Sequence, residues 1–153
     1  MPTTANLDET IPMPALMRAA RGSYAQSIRV HLEARGIDDL PRNGPFVLGG
    51  IANHGGSAGD LIAGLDVTKQ AASQLIDTLV VRGYLSREAD PADRRRQTIG
   101  LTERGREAAR AIRAGIEDVD TELARLVSPA ELVGLRAGLT ALAEIKDRMR
   151  PHS

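Results

Sequence analysis

Three consecutive arginines, Arg94, Arg95 and Arg96, close the run Asp90-Pro91-Ala92-Asp93, which leaves an acid two positions before the middle arginine. Guanidinium groups are planar forks that match phosphate oxygens, and they enter narrow A·T-rich minor grooves where negative potential concentrates. A carboxylate beside them, Asp93, can hold one arginine in an extended geometry. Arginines at such a tip also serve as edge charges that keep a hairpin from pairing with other chains. Upstream, Thr68, Lys69, Gln70, Ser73 and Gln74 gather side chains able to hydrogen-bond base edges, on helical turns whose dipole favours phosphate. An ordinary solvated helix face has a similar make-up.

These residues need elements to hold them. Thr68 is placed to cap a helix running to about Arg82, with Ala72, Leu75, Ile76, Leu79 and Val80 as its apolar stripe and Gly83 as its stop. Tyr84 to Arg87 and Gln97 to Leu101 read as two short strands around the polar hairpin Asp90 to Arg96. Upstream, Pro14 to Arg35 has a helical pattern in which Met17, Ala20, Tyr24, Ile28 and His31 share a face, ended by Gly36. Phe46 to Ala52 reads as a short apolar helix stopped by Gly55 and Gly56. Ser57 with Asp60 resembles a capping box for a further helix ending near Leu65. After Thr102, apolar residues recur at helical spacing through Leu126, and again from Leu132 to Met149 after the helix start Ser128-Pro129. The expected fold is mainly α with a small two-stranded β-wing: a winged helix-turn-helix flanked by N- and C-terminal helices.

Composition bounds the function. The 153 residues are 42% apolar and 26% charged, as in an ordinary globular domain, and the 20 basic residues balance 20 acidic ones. The balance is uneven along the chain. Between Val67 and Arg113 ten basic residues face six acidic ones, so one region is positive and the remainder negative. Cysteine is absent, which excludes thiolate nucleophiles, cysteine-ligated zinc and iron-sulfur clusters. No apolar run approaches about 18 residues, and the opening residues lack a basic leader, so a cytoplasmic protein without a membrane partner is expected. His31, His54 and His152 lie 23 and 98 residues apart without zinc-site spacing, and Gly49 to Gly59 matches no phosphate-binding loop, so no metal or cofactor is expected. Nothing nominates a catalytic set, and the chain reads as a non-enzyme.

The segment from Leu65 to Gly105, with Asp93-x-Arg95 followed by Leu101-Thr102-x-x-Gly105, resembles the multiple antibiotic resistance regulator (MarR) family. That resemblance implies a bacterial, homodimeric transcription regulator whose terminal helices interleave and whose two winged lobes read a pseudo-palindromic operator in double-stranded DNA. Many members are repressors released by a small aromatic or phenolic ligand. Carried over, Asp93 matches the family's wing acid, Arg95 its minor-groove arginine, and Thr68 to Gln74 the front of its recognition helix. On this reading residues 1–153 form one domain: an N-terminal dimerisation helix and loop (14–45), the winged helix-turn-helix (46–105) and C-terminal dimerisation helices (106–150). Independently, only one Phe, two Tyr and no Trp are available to fill a core, so the aliphatic stripes of the terminal helices need a partner. Tyr24, His31 and Phe46 are the candidate effector contacts. A second reading is a winged-helix module that docks an acidic protein without reading DNA.

Overall fold

The computed structural model describes residues 11–55 and 67–149. Five helices and one hairpin follow in the order α1 (Met13–Glu33), α2 (Gly44–His54), α3 (Lys69–Val81), β1 (Leu85–Ala89), β2 (Gln97–Leu101), α4 (Glu103–Leu126) and α5 (Pro129–Arg148). The helix expected between Ser57 and Leu65, and most of the N-terminal arm, lie outside the described residues. The chain divides into two compact units, 1–116 and 117–153.

In the first unit the helix ends follow local chemistry. Pro14 sits in the first turn of α1, where its missing N–H removes no helical hydrogen bond. Gly36, at φ +70°, and Gly83, at φ +81°, supply the left-handed conformation that turns the chain after α1 and α3. α2 begins two residues before the expected Phe46. Asn43, at φ 66°, takes up the left-handed turn there, and Pro45 favours the first helical turn.

One core joins these elements. Leu32 and Ile37 at the end of α1, Val47, Leu48 and Ile51 of α2, Ala72, Ile76 and Leu79 of α3, Tyr84, Leu85 and Ile99 of the hairpin, and Ala108, Ala111 and Ile112 of α4 are all buried together. The α3 stripe is close to its reading from sequence, with Leu75 and Val80 partly buried at its margins. α1 differs. Its apolar stripe is covered mainly near its end, where Gly115 of α4 lets the two backbones meet: a Cβ there would stand 2.7 Å from Ile28 Cα. The Ser27 hydroxyl donates to the Gly115 carbonyl at 2.8 Å across the same contact.

The strands pair antiparallel, from Leu85 opposite Leu101 to Ala89 opposite Gln97. β1 thus starts one residue later and ends two later than expected, because the Tyr84 side chain is wholly buried in the core and the pairing continues to the hairpin tip. β2 runs from Gln97 to Leu101, as expected. Thr102 then joins ribbon to helix. Its N–H donates to Tyr84 O at 3.1 Å, its hydroxyl donates to Gly83 O at 2.5 Å, and its oxygen accepts from Gly105 N at 3.0 Å. Gly105 lies so close to the ribbon that a Cβ would sit 2.1 Å from Tyr84 O. The Leu-Thr-x-x-Gly pattern is therefore a structural joint.

In the second unit, Ser128 and Glu131 form a full capping box at the start of α5, as the Ser128-Pro129 start implied. The Ser128 N–H, donating to Glu131 at 2.7 Å, holds that carboxyl below its usual range. No described residue of α5 is buried.

Replacing Gly105 by Ala forces a backbone shift at a junction where the nearest atom is a carbonyl oxygen. Urea denaturation should show a loss of about 3 kcal/mol, against a gain of up to about 1 kcal/mol for alanine at Gly134, an exposed helical site with open space around it.

Candidate nucleic-acid interface

Thr68 caps α3 as expected, its Oγ1 accepting from Ala71 N at 3.1 Å. Its oxygen is thereby tied to the helix start, which leaves the hydroxyl hydrogen for an outside acceptor. Lys69, Gln70, Ser73 and Gln74 follow on the exposed side of the first two turns, while Ala72 and Ile76 face the core. A lysine, two amides and a hydroxyl thus stand on one solvent face beside the positive end of a 13-residue helix.

The hairpin tip is built from two successive turns, each headed by an aspartate. Asp90 Oδ1 accepts from Ala92 N at 2.9 Å, and Asp93 N returns to Asp90 O at 3.2 Å. Asp93 Oδ1 then accepts from Arg95 N at 3.0 Å, and Arg96 N returns to Asp93 O at 2.9 Å. A bond from Asp90 N to Arg96 O at 2.9 Å closes the loop. Aspartate suits the first position of such turns because its short side chain reaches the backbone N–H two residues on, and Pro91 presets the next φ. The Asp93 carboxylate thus shapes the backbone under Arg95, and among the described residues it pairs with no guanidinium.

Internal pairing sorts the positive region. Arg82 donates to Asp39 O, Arg87 pairs with Asp77, Arg104 with Asp39 at 3.1 Å, and Arg106 and Arg110 with Glu103 at 2.9 and 3.5 Å. Arg113 also has a partner. Arg106 foremost holds the Glu103 carboxyl below its usual range. The remaining four of the ten cations, Lys69, Arg94, Arg95 and Arg96, are exposed and make no side-chain hydrogen bond or ion pair with another described residue. Charge counting from sequence located the positive region but could not separate committed cations from available ones.

A polar knot under the lobe escaped the sequence reading. The buried Tyr84 hydroxyl donates to Asp39 Oδ1, Arg104 reaches the same oxygen and also Arg82 O at 2.7 Å, and its guanidinium carbon stands 4.4 Å from the Tyr84 ring centre. The tyrosine's hydrogen bond, aided by Arg104 and Arg82, holds the Asp39 carboxyl below its usual range despite opposing desolvation. Burial, reinforced by Asp39, pushes the Tyr84 hydroxyl up to about 12. Separations of 43 to 65 residues hid this knot from local pattern.

Of the candidate effector residues, Tyr24 and His31 lie half-buried on α1, two turns apart, and Phe46 is 54% exposed in the first turn of α2. Among the described residues no three histidine or acidic side chains gather as metal ligands, and no helix is long and apolar enough to cross a membrane.

Residues 38–96, which carry the α2–α3 region and the arginine tip, match the model of the MarR family. Over that stretch, 59 of its 153 residues, the chain is similar to the family. Solved structures of Staphylococcus aureus MepR have the same fold. The MepR–DNA complex is 24% identical and aligns with a TM-score of 0.70 over 87% of this chain and 95% of that one. MepR bound to ethidium bromide is also 24% identical, with a TM-score of 0.57 over 88% and 96%. No match was found among curated proteins. In a winged-helix fold α3 stands in the place of the recognition helix and the hairpin in that of the wing.

Tyr84→Phe removes the knot's buried donor and should cost about 1.5 kcal/mol in urea denaturation, as for a hydrogen bond to a charged group. The knot also has a pH signature. Asp39, lowered by folding, adds stability above its ordinary pKa of 3.8 that is lost as pH falls through the lowered value. Tyr84, raised by folding, adds stability below 10 that is lost as pH rises from 10 toward about 12. Stability measured against pH should flatten at both ends in Tyr84→Phe, and unchanged acid and alkaline limbs would contradict the knot.

Proposed function

We propose that the chain is a sequence-specific, double-stranded-DNA-binding transcription regulator that acts as a homodimer. The observation that carries this reading is the pairing pattern: of the ten cations between Val67 and Arg113, the four without a partner among the described residues stand at the start of the recognition helix and the tip of the wing, the two parts of a winged helix that reach a duplex. Lys69 with Arg94 and Arg96 supplies affinity through phosphate contact and counterion release. Gln70, Ser73 and Gln74 supply base choice in the major groove, Thr68 fixes the helix start against a phosphate, and Arg95 anchors the minor groove. That MepR has been crystallised with DNA supports the same use of this fold.

The homodimer draws support from α5, where Leu135, Leu139, Leu142, Ile145 and Met149 are 41% to 78% exposed along one helix. Met13 and Val30 of α1 are exposed as well. Apolar surface of this kind is covered in stable proteins, and a second copy places two wings on a pseudo-palindrome about 34 Å apart. The regulator is cytoplasmic on this reading, and a repressor released by a small aromatic or phenolic ligand held near Tyr24, His31 and Phe46. MepR's complex with ethidium favours an aromatic effector. A ligand that shifts the spacing of the two heads by a coupling of about 1–3 kcal/mol lowers operator occupancy about 5- to 150-fold.

Selection from a random duplex library, followed by fluorescence anisotropy on the enriched sequence, tests the proposal directly. Failure to retain any duplex at low salt would favour the module that docks an acidic protein. Arg95→Ala should weaken binding about tenfold while sedimentation still shows a dimer, and affinity should fall steeply with salt at a slope of about 0.9 per phosphate contacted. Gln74→Ala should relax preference among variants of the enriched sequence more than it weakens binding to random duplex; an equal loss on both would assign Gln74 to phosphate.

A further inference from the structure

We infer that Asp77 and Arg87 are positioning residues that clamp the wing to the recognition helix, an inference that rests on the DNA-binding reading above. Asp77 follows Ser73 and Gln74 by four and three residues, so it continues the exposed stripe of α3 that carries the base-reading side chains. A bare carboxylate there would repel phosphate. Arg87, from β1, pairs with it instead. In the ribbon register Arg87 stands opposite the buried Ile99, two pairs outward from Leu85 and Leu101, so it belongs to the same inner face that packs on the lobe. Beyond it that face offers the exposed Ala89 and Gln97 before the arginine loop begins. Apolar packing thus gives way at Ile99, and the ion pair extends the hold on the ribbon toward the tip.

The pair is exposed on both sides, at 41% and 61%, so it adds little to global stability. Its work is geometric and electrostatic. It sets the spacing between the recognition helix and Arg94 to Arg96, and it neutralises an acid on the face presented to DNA. Arg87 therefore acts through Asp77 and not by touching phosphate.

A double-mutant cycle separates these roles. Wild type, Arg87→Ala, Asp77→Asn and the double variant are titrated by anisotropy against the duplex enriched by the wild type, with thermal unfolding measured alongside. Arg87→Ala should weaken binding about tenfold in the wild type, yet less than twofold when Asp77 is already Asn, with melting temperatures almost unchanged. In the DNA-free protein, amide exchange across residues 90–96 should quicken in both single variants. An equal loss from Arg87→Ala in both backgrounds, with unchanged exchange, would make Arg87 a direct phosphate contact and overturn the clamp. A wild type that binds no duplex would overturn the DNA reading itself, so the two failures are distinct.

Discussion

The approach of the Tyr84 carbonyl to Gly105 is the constraint on which the lobe depends. A backbone oxygen occupies the place where any other residue would carry its Cβ, and Thr102 closes the junction with three hydrogen bonds, two to Gly83 and Tyr84 of the preceding chain and one to Gly105 itself. The base of the wing and the first turn of α4 therefore meet at one point. Tyr84 extends the joint inward, because the same residue fills the core and carries the hydroxyl that fastens Asp39. Asp39 belongs to the segment between α1 and α2, so the N-terminal chain, the end of the recognition helix and the wing base share one polar anchor.

Electrostatics in this lobe works by partition. Six of the ten cations between Val67 and Arg113 are engaged within the protein, Arg82 with a carbonyl and Arg87, Arg104, Arg106 and Arg110 with carboxylates among them. Exposed pairs of this kind stabilise a fold by little. Their larger effect is to leave Lys69 and the wing tip as the available charge of that segment, so that an overall neutral protein presents a local field there.

Much of the architecture was legible because it is local. Thr68 as a cap, Gly36 and Gly83 as stops, the Ser128-Pro129 helix start and the α3 stripe all express rules that operate within a few residues. The boundaries that moved did so for non-local reasons. Tyr84 left the expected strand because the core needed its volume, and α2 starts two residues early because Asn43 accepted a left-handed conformation. The candidate DNA-facing residues were legible as types and spacings, but the role of Asp93 was not, since carboxylate-to-amide and carboxylate-to-guanidinium bonding have the same sequence signature. The Asp39 knot and the Asp77–Arg87 pair depend on tertiary contacts that no periodicity announces.

The double aspartate turn of the wing has a consequence of its own. Every hydrogen bond that shapes the tip ends on main chain or on Asp90 and Asp93, and none on the side chains of residues 94–96. Contour and cargo are thus written in different letters. Those three positions can become lysine, glutamine or serine without redrawing the loop, so the outline of the tip does not depend on the charge it carries.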